Sequence, residues 1–333
     1  MHRTWMTQVT AMPTILRTHQ DEDYAAIAEV YNVTGPPDST KSSADSLRKS
    51  DQALDAKYCS RRVVAEVDGK IVGVSRLIIP PGTYHPQKWL MNGGVLPAYR
   101  NQGIGSMLLD DVLATIAPGD PISLRTSTPE DSPETLRFLQ KRGFQEEHRF
   151  WESHLDVAKF DQAAYEKGLA NITGQGIEII TLADLREQEG YERRLYELII
   201  HIQADMPMPE PFVPYSFEDY MKFEYARPNI IPEAYFIAVD GERLVGVNIL
   251  MSDPKDKGHL NTDDTGVHRD YRRRGIALAL KLHGINWAKE HGYEAIRTLN
   301  ESTNARMLKI NERLGFVKHP PWIAFIRKFK ESV

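Results

Sequence analysis

Cysteine is almost absent from this 333-residue chain, with Cys59 the only one. A single thiol excludes an intrachain disulfide and any zinc site of paired thiolates, and it points to a reducing, cytoplasmic setting. The eleven histidines show no His-Glu-x-x-His or comparable spacing, so no metal is expected. Long apolar runs are also missing. Nothing approaches the roughly 18 residues of a membrane span, and residues 1–12 lack the apolar core of a signal peptide and are expected to form a flexible tail. Nor does one charge dominate: 41 Lys+Arg against 46 Asp+Glu leave a formal charge of -5, without the concentrated basic surface that duplex binding requires. Neither nucleic acid nor membrane is an expected partner.

What the chain does have is itself, twice. At an offset of 172 residues, Val67-Asp68-Gly69 returns as Val239-Asp240-Gly241, Gly94-Val95 as Gly266-Val267, Tyr99-Arg100 as Tyr271-Arg272 and Gly143-Phe144 as Gly315-Phe316. That spacing is too long for a solenoid unit and long enough for each copy to hold its own core, so two domains are expected. The division reads as a tail (1–12), a first domain (13–156), a linker (157–176) and a second domain (177–333). Each copy has the same order of elements: a short strand, a helix (21–33; 185–203), a hairpin (62–79; 234–251), a strand ending at Val95 or Val267, a helix, a strand, a helix and a last strand (150–155; 322–329). The proline-rich stretch 206–214 has no counterpart in the first copy and is read as a wall of a substrate pocket.

Five residues after each strand-end valine comes Arg-x-x-Gly-x-Gly/Ala, opening a helix. The first copy has Arg100-Asn101-Gln102-Gly103-Ile104-Gly105, and the second has Arg272-Arg273-Arg274-Gly275-Ile276-Ala277. Small residues let the backbone turn tightly, and the unpaired first N–H groups of a helix, with its dipole, suit a phosphate group. A Walker loop or a dinucleotide fingerprint needs residues that are not here. A calcium loop over 253–264 fails because Lys255 and Lys257 fall where oxygen ligands are required.

On these motifs the chain resembles the GCN5-related N-acetyltransferase (GNAT) superfamily. The second family motif, a helix ending in Leu-Gly-Phe, is met as Asn304 to Phe316, and the tandem arrangement looks like that of mycothiol synthase. The resemblance implies an α/β (α+β) fold: two tandem domains, each a mixed, mostly antiparallel twisted sheet flanked by helices. It also implies an acetyl-CoA (or other acyl-CoA) cosubstrate, with its pyrophosphate on the glycine turns and its pantetheine beside Val95 or Val267. Asn304 stands where the family often has an asparagine that contacts the cofactor.

The expected reaction is acetyl transfer to the amine of a small molecule in the second domain. A non-catalytic acyl-CoA-binding protein and a protein N-acetyltransferase are the alternatives, and the chain is expected to be a monomer or homodimer. The family's usual glutamate base is absent, its positions being Trp89 and Asn261. Strand alternation puts Asn261, Asp263 and Thr265 on one face, making Asp263 the carboxylate on the expected side and Asp264 a candidate only if the strand is bulged. The first copy has Met91, Asn92 and Gly93 there, so it either binds acetyl-CoA without turnover or acts as a scaffold. The family's tyrosine acid is replaced by Leu139 and Asn311; Asn311 could bond the sulfur or orient a water. Glu301 is a reserve base, or else caps the helix that follows.

Overall fold

The computed structural model describes residues 13–35, 41–208, 210–253 and 256–330, so the expected tail lies outside the described residues. The first copy runs β1 (Ile15–Thr18), α1 (Tyr24–Thr34), α2 (Ala44–Ala53), β2 (Arg61–Val67), β3 (Lys70–Ile78), β4 (Lys88–Val95), α3 (Ile104–Ile116), β5 (Ser123–Pro129), α4 (Pro133–Lys141) and β6 (Gln145–Asp156). Helix α5 (Gln162–Thr173) leads into the second copy: β7 (Ile177–Thr181), α6 (Leu182–Leu185), α7 (Tyr191–Gln203), α8 (Phe217–Tyr220), β8 (Ile230–Asp240), β9 (Arg243–Ser252), β10 (His259–Val267), α9 (Ile276–Glu290), β11 (Ala295–Glu301), α10 (Ala305–Arg313), β12 (Val317–Lys318) and β13 (Trp322–Lys328). A π turn, Met221–Tyr225, continues α8.

Two readings of local structure need correction. The single helix expected over 185–203 is broken, because Gly190 takes φ 70° and starts α7 afresh. Helix α2 escaped notice because it buries no residue and so has no apolar stripe to read. The repeated glycine before each strand-end valine has a packing reason: a Cβ at Gly94 would stand 2.4 Å from Thr34 Oγ1, and one at Gly266 2.1 Å from Ile202 Cγ2. In both copies the helix crosses the strand too closely for a side chain.

The larger correction concerns domain independence. The strands form one sheet in the order β1-β2-β3-β4-β5-β13-β6-β11-β10-β9-β8-β7, with β12 paired to β6. The last strand of the second copy is inserted in the first: Phe325 of β13 pairs with Thr126 of β5 and with Glu146 of β6. In return the second half of β6 pairs along β11, from Glu301↔Phe150 to Ala295↔Asp156. Ile323 and Phe325 are buried with Leu124, Leu139 and Phe144 of the first copy, and Leu155 with Ile296, Leu314 and Phe316 of the second. Each copy therefore completes the other's core, and unpaired edges in mid-sheet are avoided. Helix α9 covers one face of the second half with Phe236, Val245 and Leu260, while α6 and α7 cover the other with Ile237, Val247 and Ile249.

Candidate active site

The two glycine turns have matching backbones. Asn101 and Arg273 take φ 61° and 64°, and Gly103 and Gly275 take φ 87° and 88° as the N-caps of α3 and α9. The left-handed glycine swings the chain into the helix and leaves the first-turn N–H groups, at Ile104 and Gly105 or Ile276 and Ala277, facing outward without helical partners. The arginines serve the turn itself: Arg100 Nε donates to the carbonyl of Val95 at 3.1 Å and Arg272 Nε to that of Val267 at 3.0 Å. Gln102 Nε2 donates to Ala98 O, Arg272 also pairs with Asp205, and the Arg274 guanidinium lies over the Tyr271 ring. In this arrangement Arg100, Gln102 and Arg272 spend their side chains on the protein, and what each turn leaves open is its backbone N–H groups.

Beside each turn the sheet opens. Strands β10 and β11 pair only at His259↔Ala295, Leu260↔Ile296 and Asn261↔Arg297, and β4 and β5 only at Lys88↔Ser123, Trp89↔Leu124 and Leu90↔Arg125. Beyond those pairs the strands part, leaving main-chain donors and acceptors on β4 and β10 for an extended ligand.

Here the copies differ. Strand β4 runs in unbroken register against β3 from Leu90↔Ile78 to Val95↔Gly73. Strand β10 is bulged: Thr262 faces Leu250 and Thr265 faces Asn248, so three steps on β10 match two on β9. The bulge overturns the expected alternation. Thr265 is turned to the α9 face, where its hydroxyl donates to Asn248 Oδ1 at 2.8 Å, and both Asp263 and Asp264 look toward α7 and α8.

The two carboxylates have different work. Asp263 accepts two bonds from the Arg227 guanidinium, which also pairs with Glu224 at 2.7 Å. Two guanidinium bonds thus occupy the Asp263 carboxylate, the one the strand alternation had favoured. Asp264 accepts a single bond from Gln203 Nε2, at 2.9 Å; burial first, and then the Asp263 charge, push its carboxyl up to about 7. Burial likewise raises Glu224 above the usual carboxylate range. With Tyr220, Tyr225, Tyr235, Ile199, Ile230 and Ile249, these groups line one pocket. Tyr235 Oη is buried in it beside the Tyr220 hydroxyl. Gln203, Tyr220, Glu224, Arg227 and Tyr235 were not singled out in the sequence; the cluster of tyrosines and acids over 215–225 was the available signal.

The same place in the first copy is filled. Arg76 stands opposite Asn92, the repeat position of Asp264. Both Arg76 and the buried Arg62 pair with Asp51, and Arg62 Nη1 donates to the hydroxyl of Tyr31 on α1. This network occupies the space that the acids and tyrosines line in the second copy.

Other expectations are revised by the contacts. Glu301 accepts from the Thr303 N–H and from the hydroxyls of Thr303 and Ser302, with His148 beside it, and its carboxyl lies below the usual range. With its oxygens taken up by these donors it braces the turn before α10. Asn304 Oδ1 accepts from Met307 N at 3.3 Å as the N-cap of α10. Asn311 is buried and gives one amide hydrogen to Asn300 Oδ1 at 2.7 Å, leaving one donor. Within 206–214, Glu210 pairs with Lys88 and Arg125 and Val213 N donates to Gly82 O of the first copy, while Met206 and Phe212 pack into the core of the second. They do not wall the second copy's pocket. Among the described residues no His, Cys, Asp or Glu cluster has metal-binding geometry, and no helix is long and apolar enough to cross a membrane.

These paired turns and split sheets match a known pattern. A model of the acetyltransferase (GNAT) family fits residues 194–316, and one of the acetyltransferase (GNAT) domain fits residues 59–146. The chain is a tandem member of the GNAT superfamily. It is therefore an N-acetyltransferase, of the class that uses acetyl-CoA. It is 23% identical over 256 residues to a mycothiol acetyltransferase of Geodermatophilus obscurus, covering 76% of this chain and 77% of the relative. A mycothiol acetyltransferase of Amycolatopsis mediterranei is 22% identical over 263 residues, 77% of this chain and 81% of that one. In fold it is similar to a tandem GNAT protein from the clavulanic acid biosynthesis pathway (TM-score 0.73, 17% identity, 96% of this chain and 100% of that one). It is also similar to a GCN5-related N-acetyltransferase from Sphaerobacter thermophilus (TM-score 0.69, 18% identity, 97% and 98%).

Proposed function

We propose that this GNAT protein acetylates the amine of a small molecule in its second copy, with Asp264 as the proton acceptor. The observation that carries the reading is the bulge in β10, which puts a carboxyl of pKa about 7 beside the parting of β10 and β11. The equivalent place in the first copy holds the Arg62–Asp51–Arg76 network and no such group. The relatives named mycothiol acetyltransferase support a small-molecule acceptor.

In this reading acetyl-CoA lies with its pyrophosphate on the N–H groups of Gly275, Ile276 and Ala277 and its pantetheine along β10. An amine arrives largely as ammonium. Asp264, half ionised near neutrality, takes a proton from it, and the freed nitrogen lone pair attacks the thioester carbonyl carbon. The C–N bond forms, the C–S bond breaks, the electron pair leaves with sulfur, and the surplus proton left on the new amide nitrogen passes to the departing thiolate or to water. A thiol's ordinary pKa of about 8.5 lets the sulfur depart as thiolate without a tyrosine acid. Glu224 and Asp263 give the pocket a negative balance that draws in a cationic amine, and Tyr235 Oη offers a hydrogen bond at its floor. The first copy keeps the phosphate turn, and we assign it acetyl-CoA binding without turnover.

The test is thiol release from acetyl-CoA against tyramine, glucosamine and putrescine, using the parent, Asp264→Asn and Gly275→Glu. Amine-dependent release lost in both variants supports the assignment. Release that survives both would move the chemistry elsewhere.

A further inference from the structure

The pocket wall that carries Tyr220, Glu224, Tyr225 and Arg227 is short and locally weak. Helix α8 has four residues and the π turn five, following a stretch that contains Pro207, Pro211 and Pro214. A helix of one turn has no stability of its own in water. Part of its support comes from its own copy: Tyr196 Oη donates to Tyr215 O at 2.7 Å, the Arg193 guanidinium lies over the Phe217 ring, and the Tyr191 and Tyr225 hydroxyls are hydrogen-bonded.

The remainder comes from the first copy. Asp219, buried on α8, accepts from Lys57 Nζ at 2.8 Å and from Tyr58 Oη at 3.2 Å. The buried Tyr58 ring meets Phe223 edge to face, with centroids 5.6 Å apart. Lys222 pairs with Asp55 at 3.2 Å. Further along, Glu210 bridges Lys88 and Arg125 at 2.6 Å each, and Val213 N reaches Gly82 O at 2.9 Å. Asp219 thus grips the neighbouring copy, while Tyr220, next in sequence, lines the pocket. A buried carboxylate is costly unless paired, so this bond pins the register of α8.

We propose that Asp219, held by Lys57 and Tyr58, is a positioning residue for the acceptor pocket, and that the first copy contributes to turnover by fixing the wall that faces Asp263 and Asp264. The inference rests on the reading that the second copy's pocket receives the acceptor. It gives the first copy a task that does not require it to turn over. The task runs through Lys57, Tyr58 and Asp55, none of which belongs to the first copy's phosphate turn.

The experiment compares the parent with Asp219→Asn, Lys57→Met and the charge-exchanged pair Lys57→Asp with Asp219→Lys. With whichever of tyramine, glucosamine or putrescine is acetylated, the single variants should raise KM for the amine about 10-fold to 100-fold, as small misplacements of binding groups do. KM for acetyl-CoA should stay within about 2-fold, and the exchanged pair should recover most of the loss. A second readout needs no acceptor. The Asp264 carboxyl is followed by carbon NMR in protein labelled at the aspartate side-chain carboxyl, with Asp264→Asn giving the assignment. In Asp219→Asn a loosened wall admits water, and the Asp264 titration should fall toward the ordinary carboxylate range. An unchanged Asp264 titration in the folded variants overturns the proposal, and so does a rise of both KM values together. If none of the three amines is acetylated, the titration decides alone, so failure of the acceptor reading and of the clamp are told apart.

Discussion

Gln203 Nε2 donates to Asp264 Oδ2 across 2.9 Å, and its amide oxygen accepts from Tyr215 Oη at 2.8 Å. The bond favours the ionised carboxylate and works against the burial that raises its pKa. Activity should rise with pH through about 7 as Asp264 ionises. Gln203→Leu removes the opposing bond, so the acid limb of kcat/KM should move up by about 0.5 to 1 pH unit. Asp264→Asn should erase the limb and lower kcat by about 10²-fold to 10⁴-fold. A pH–rate profile on all three proteins checks both, and an unmoved limb in Gln203→Leu would count against Asp264 as the group observed.

The same carboxyl makes a prediction about stability. Its folded pKa, about 7, lies above the ordinary 3.8, so between those values the folded state keeps a proton that the unfolded state has lost. Stability is complete below the lower value and falls as pH rises toward the upper one. Asp264→Asn removes that loss. The variant should match the parent in Tm at pH 4 and exceed it at pH 8, and equal melting at both pH values would contradict the buried, raised carboxyl.

Gly103 and Gly275 have nearly the same φ, and each starts a helix whose first N–H groups face outward. Gly275→Glu sets a side chain in a left-handed position and a negative charge against the cofactor's phosphates. It should abolish turnover and remove one CoA equivalent in calorimetry. Gly103→Glu should remove the other equivalent and leave turnover in place. Loss of turnover from Gly103→Glu alone, with the second site still binding CoA, would move the chemistry to the first copy.

Lys281 is a buried cation on α9 with its ammonium over the Phe316 ring, and burial lowers its pKa to about 8. The repeat position in the first copy is the buried Leu109. Since the unfolded value is 10.5, the unfolded state binds more protons between about 8 and 10.5, and stability climbs with pH across that window. At pH 7 the full cost is present. Lys281→Leu should therefore add about 2 kcal/mol at pH 7 and much less at pH 10. Urea unfolding at the two pH values measures the difference, and a stabilisation independent of pH would mean that packing, not charge, is responsible.

How much of this was legible depended on whether the signal was local. The glycine turns, the hairpins and the acids of β10 lie within short windows, and repetition at 172 residues marked them twice over. The face of Asp264 was not legible, because one extra residue in β10 is visible only against the register of β9. Glu224 and Arg227 come from a segment without helical or strand periodicity, and their partners Asp263 and Asp264 lie more than thirty residues away in the chain. Glu301 read as a reserve base or as a cap of the following helix, and the bonds it accepts from Ser302 and Thr303 depend on how the turn folds back on it. Strand exchange was hidden for a related reason: β6 and β13 carry the alternation that any final strand would, and nothing in a strand's own pattern says which copy's edge it will join.

That exchange should couple the folding of the two copies. Phe325 is buried among residues of the first copy although it belongs to the second, and β6 does the converse beside β11. Truncating Phe325 to alanine should cost about 3 to 5 kcal/mol, as for other buried aromatic side chains. The loss should not be confined to the half of the chain that carries the mutation. Trp89 reports on the first copy and Trp287 on the second. In two proteins, each keeping one of these two as its sole tryptophan by Trp→Phe replacement of the other four, Phe325→Ala should shift the urea midpoint by the same amount. Were the copies independent, Trp89 alone would report the change and Trp287 would unfold at the parent's midpoint. The separation of the two curves therefore measures how far each copy depends on the strand lent to it.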